Sequence, residues 1–118
     1  MQQSIKDRTR QFALNIIKLS AAFGTDEASR IIKRQLLRSA TAIGANYRAA
    51  QRGKSKADFI MKLKIAEEEA DETVYWLELA RLSGLLYGEL AEKAWREANE
   101  LTAILTQSVI SARRRASS

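Results

Sequence analysis

No proline interrupts the 118 residues and only five glycines do, so little in this chain can stop a helix once it has started. Proline removes an amide donor and clashes with the preceding turn, and a glycine inside a helix costs about 1 kcal/mol against alanine. The residues that remain are rich in Ala, Leu, Glu, Lys and Arg, all good helix formers. Breaks are therefore expected at the glycines.

Apolar residues recurring at spacings of three and four mark four amphipathic helices, predicted at about 4–23, 25–52, 55–83 and 87–113, with a basic tail at 113–118. The first carries Ile5, Phe12, Ile16, Leu19 and Phe23 and stops at Gly24. The second follows Thr25 as N-cap, with Asp26 and Glu27 complementing the helix dipole, and its stripe is Ala28, Ile32, Leu36, Ile43, Tyr47 and Ala50. Ser55 and Asp58 form a start signal for the third, which stacks Phe59, Leu63, Ala66, Ala70, Thr73, Leu77 and Ala80 and closes at Gly84. The fourth carries Leu90, Ala94, Ala98, Leu101, Leu105, Ser108 and Ala112, with Gly88 at its start. Gly44 lies inside the second stripe, where a close helix approach or a kink explains it. Short turns between such helices favour one all-α domain over 1–118, an antiparallel up-down-up-down four-helix bundle.

The chain has neither His nor Cys. That removes the serine triad, the Cys–His nucleophile, zinc fingers, haem ligation and the Glu-x-x-His di-iron site. A non-enzymatic protein without cofactor or metal is expected. The N-terminus lacks an apolar signal core and no stretch approaches the roughly 20 apolar residues of a membrane span, so a cytoplasmic protein with no membrane partner is expected.

Twenty Lys and Arg against 14 Asp and Glu give a net charge of +6, a balance suited to polyanions or acidic partners. By segment, residues 1–24 carry +3, 25–54 carry +5, 55–84 carry −3 and 85–118 carry +1. On the second helix Arg30, Arg34, Arg38, Arg48 and Arg52 fall within an arc of about 80° opposite the apolar stripe. A solvated helix back is the plain explanation. Arginine's planar fork binds phosphate bidentately, and Lys33, Lys54, Arg8 and Arg10 enlarge the candidate surface. Arg8, Arg10, Arg30, Lys33, Arg34, Arg48, Arg52 and Lys54 are thus the candidate nucleic-acid contacts. Arg113, Arg114 and Arg115 add basic charge at the tail, although such terminal runs are often only solubilising.

The third helix is predicted to point Glu67, Asp71 and Glu78 outward. Beside its core face runs a second row, Lys62, Ile65, Glu69, Glu72, Trp76 and Leu79, giving this helix more than one surface to bury. Arg38, Lys62, Glu69 and Glu72 are expected to form a structural ion-pair network. Two carboxylates without His make a poor transition-metal site. Trp76 and Trp95 sit at the margins of their core arcs, as core or subunit contacts, with Leu37 and Leu86 as further subunit-contact candidates.

The ordered set Arg38, Ile43-Gly44-Ala45-Asn46, Ser55, Asp58-Phe59, Lys62, Glu69, Glu72-Thr73 and Tyr75-Trp76-Leu77 resembles a bacterial family of four-helix bundles, the 23S rRNA intervening-sequence proteins. The resemblance spans roughly residues 10–110. It implies a ring-like homopentamer, and a kinship with the accessory variability protein of diversity-generating retroelements, whose basic surface binds nucleic acid alongside a reverse transcriptase. Where the family usually has Glu, three residues after the Asn, this chain has Ala49, which makes the second helix more basic still.

The expected function is a non-enzymatic, oligomeric protein that engages the backbone of RNA or DNA. The alternative is an interaction scaffold that docks an acidic partner such as a reverse transcriptase.

Overall fold

The computed structural model describes residues 3–117 and contains, among them, four α-helices and no strand. They are α1 (Ile5–Leu19), α2 (Glu27–Gln51), α3 (Lys56–Leu82) and α4 (Glu89–Ser117), with a 3₁₀ turn at Ser20–Ala22 after α1. Each helix packs against its neighbours in chain order, and α4 closes back on α1. Cross-helix pairs fix the register. Gly44 meets Thr9, Arg38 reaches Glu69, Ser39 accepts from Thr73, and Thr106 donates to Glu67. From Gly53 against Phe59 to Ser39 at Thr73, and from Glu67 at Thr106 to Arg81 at Glu92, residue numbers rise on one helix as they fall on the next, so helices joined by short turns run antiparallel and the chain forms a four-helix bundle of 50 × 31 × 20 Å.

The core follows most of the predicted stripes: Phe12, Ile16, Leu36, Ile43, Leu63, Leu77, Leu101 and Leu105 are fully buried, layered with small residues such as Ala40, Ala66, Ala70 and Ala98. Four expectations change. Ala28 is exposed on the first turn of α2, and Leu90 is exposed on the first turn of α4, because the inward positions of those turns are taken by the adjacent Ser29 and Ala91, both fully buried. Leu86, expected at a subunit contact, is buried under the α3–α4 turn, its amide bonded to the Ala80 carbonyl. Glu67 does not point outward. It lies between α3 and α4 and accepts from Lys64 and Thr106.

The ends of the helices also sharpen. Asp26 caps α2 instead of Thr25, its carboxylate accepting both the amide and the hydroxyl of Ser29. Those bonds lower its pKa from the usual aspartate value. Ser55 caps α3 as predicted, accepting from the Asp58 amide, and Asp58 reaches back to the Lys54 amide. Gly84 and Gly88 both take positive φ (79° and 95°) on either side of the α3–α4 turn, so Gly88 precedes α4 and its carbonyl accepts the first bond of that helix. The basic tail is not a tail. Arg113, Arg114 and Arg115 sit on the last turns of α4, which continues to Ser117; Ser118 lies outside the described residues.

Candidate nucleic-acid interface

With 15 residues against 25, 27 and 29 in the others, α1 reaches along only part of the bundle. Thr9 lies against Gly44, and α1 begins only one turn before it. Among the described residues, the bundle beyond that turn is built by α2, α3 and α4 alone. This end comprises the C-terminal part of α2, the α2–α3 turn, the first turns of α3 and the C-terminal part of α4.

The formal charge is concentrated there. Residues 45–68 and 106–117 hold nine of the 20 basic and three of the 14 acidic side chains. Their balance equals the whole +6 of the protein, and the rest of the molecule is neutral. Arg48, Arg52, Lys54, Lys56, Arg113, Arg114 and Arg115 are exposed. The fold brings the last three to the same end, on the helix that packs beside α3. The charge of Arg113 is felt at Glu67, the residue that Thr106 bonds across the α3–α4 seam.

The predicted contacts divide between this end and the rest of the bundle. Arg48, Arg52 and Lys54 belong to the basic end. Arg30 and Arg34 are exposed and Lys33 is half-buried, but they lie toward the other end of α2; Arg30 and Arg52 are about 33 Å apart along the helix axis. Arg8 is not available as a free cation. Its guanidinium bonds both carboxylate oxygens of Glu97, at 3.0 and 2.6 Å, and approaches Glu100 at 3.5 Å. The hydrogen bonds to Glu97 lead in holding its pKa above the usual arginine value. Arg10 pairs locally with Asp7 at 2.9 Å.

Lys56 and the α4 arginines are further candidates that the stripe on α2 does not single out. The signal was present in the charge runs, but only the antiparallel register shows that residues sixty apart in sequence share one end.

The ion-pair network forms in part. Arg38 bonds Glu69 at 3.1 Å and pairs with Glu72. The guanidinium is about half exposed, so the pair braces α2 to α3 at the surface instead of inside the bundle. Lys62 is half-buried and makes no ion pair within 4 Å among the described residues. Trp76 and Trp95 both pack against the core with their indole N–H groups buried and without an acceptor. Arg81 lies 4.5 Å over the ring of Trp95 and donates to Glu92, tying α3 to α4.

A groove of about 900 Å³ runs between α1 and α4, floored by Phe12, Leu19 and Ala94. Its walls carry charges of both signs, Arg8 and Lys93 against Glu97 and Glu100, so it selects no anion. Among the described residues, no three His, Cys, Asp or Glu come together to hold a metal ion, and no helix is long and apolar enough to cross a membrane.

Comparison with known proteins agrees with this architecture. The family model for the 23S rRNA-intervening sequence protein matches residues 1–107. A search of curated proteins finds no match. Among solved structures, one from Bacteroides thetaiotaomicron, described as a protein with unknown function from the S23 ribosomal protein family, superposes with a TM-score of 0.82. It is 37% identical, and the alignment covers 90% of this chain and 98% of that one. With the family model spanning nearly the whole chain, the protein belongs to the 23S rRNA-intervening sequence protein family.

Proposed function

We propose that this is a non-enzymatic protein of the cytoplasm that binds the phosphate backbone of RNA or DNA through its basic end. The observation that carries this reading is the segregation of charge: the full +6 lies at one end, on three helices, with seven exposed Lys and Arg. A generic surplus of basic residues would be spread over the molecule. Backbone contacts position a protein without reading sequence, and each phosphate neutralised releases counterions and makes affinity fall with salt.

We further propose that the chain works as a homo-oligomer. Lys62, Ile65, Glu69, Glu72, Trp76 and Leu79 are each half-exposed, and the indole N–H of Trp76 is buried without an acceptor. A neighbouring copy over this row would cover its apolar side chains. The resemblance to ring-forming relatives supplies the number five. In a cyclic ring whose axis runs along the bundles the basic ends would share one face, and weak contacts would combine through avidity.

The test compares two charge-reversed variants. Arg52→Glu, Lys54→Glu and Arg114→Glu together should abolish retention of nucleic acid in a gel shift, while Arg30→Glu with Arg34→Glu should largely preserve it. Both should keep the wild-type mass in sedimentation. Wild-type protein that retains no nucleic acid at low salt would replace this reading with an acidic protein partner, and a mass of 13.3 kDa would remove the oligomer.

A further inference from the structure

The basic end carries charge without rings. Tyr47 and Phe59, the aromatic residues within it, are half-buried and packed against the core. The exposed aromatic side chains, Tyr75 and Tyr87, both lie in the neutral part of the molecule. Proteins that hold single strands combine a cationic groove with aromatic platforms, and each stacked base contributes about 1–3 kcal/mol. That contribution is missing here, so a flexible strand would have to be ordered by charge alone.

The cations also form two clusters. Arg52, Lys54 and Lys56 gather at the α2–α3 turn, with Arg48 one turn back on α2. Arg113, Arg114 and Arg115 lie on α4, which packs beside α3. Because α3 packs against both α2 and α4, the two clusters stand on different sides of the same end. A duplex presents two phosphate rows across a groove, already fixed in space, at one charge per ~1.7 Å of axis against ~3.4 Å for one strand. A single strand presents one row.

From these two observations we infer that the basic end is a site for double-stranded nucleic acid, with the α2–α3 turn on one phosphate row and the end of α4 on the other. This rests on the backbone-binding reading above and adds the class of ligand. Base edges are not engaged. Lys and Arg side chains meeting phosphates from helix ends leave the grooves unread, so affinity is indifferent to base composition.

The experiment is a fluorescence-anisotropy titration of the full chain with labelled 20-nucleotide probes: duplex DNA, duplex RNA and single-stranded oligo-dT, from about 50 to 200 mM salt. Both duplexes should bind at least tenfold tighter than the single strand at the lowest salt. Engagement of about five phosphates should give a log–log salt slope near −4.5 for duplex DNA, unchanged between AT-rich and GC-rich sequences. Equal or tighter binding of oligo-dT overturns the duplex inference and leaves the backbone-binding reading standing. A strong preference for one base composition also overturns it. Failure of all three probes to bind overturns the reading on which it rests. Binding of one duplex type alone keeps the inference and names the source.

Discussion

Gly44 shows how a single hydrogen atom in place of a side chain fixes the seam between α1 and α2. A Cβ built there would stand 3.2 Å from the Thr9 hydroxyl oxygen and 3.4 Å from its Cβ, and Thr9 is itself buried. The sequence offered close approach or kink, and close approach is what the fold uses. Gly44→Leu should lower unfolding free energy by about 1–3 kcal/mol through overpacking. Ala45→Leu, one residue on and exposed, should have little effect, and urea denaturation separates the two. Glu67 is the opposite lesson. Helical periodicity placed it outward because α3 carries apolar residues on more than one row, so its sequence defines no single inward direction. In the structure burial pushes its pKa up, and this is the largest single influence. The hydrogen bonds from Lys64 and Thr106, with the charges of Lys64 and Arg113, together outweigh it and leave the pKa below the usual glutamate value. A carboxylate depressed in the folded state stabilises the fold above its unfolded pKa, near 4.3, and that stabilisation fades as pH falls through the folded value. Thermal unfolding should therefore show wild-type Tm dropping below about pH 4.5 more steeply than that of Glu67→Gln.

At the scale of the element, the caps were legible where side-chain chemistry allowed one solution and ambiguous where it allowed two. Ser55 with Asp58 is a complete signal, and both halves of it are satisfied. Thr25 and Asp26 can each cap a helix. The structure selects Asp26 because its carboxylate also meets the hydroxyl of Ser29, a buried residue one turn into α2. Ser55→Ala should cost about 1 kcal/mol of stability, whereas Thr25→Ala should stay within about 0.5 kcal/mol, both read from denaturant midpoints. The length of α4 was underestimated for a similar reason: a run of arginines reads as a solubilising terminus, yet arginine is a good helix former and Ala112 anchors the turn before it in the core.

For the whole molecule, the number of helices, their order and most of the core could be read from periodicity, since burying four stripes at once leaves few arrangements. The candidate site could not. An arginine stripe on one helix looks like a surface that runs the length of α2. Its first half is balanced at Arg38 by Glu69 and Glu72, which only the fold brings alongside. The second half is reinforced by Lys56 and by the end of α4, more than fifty residues away in the chain. Charge separated along a 50 Å axis makes the protein an electric dipole as well as a cation. In the field of a polyanion it experiences a torque as well as an attraction, beginning within about a Debye length of ~10 Å at 0.1 M salt. In such a field the bundle would turn its basic end forward before any side chain touched, and encounters begun in the wrong orientation would be corrected in flight.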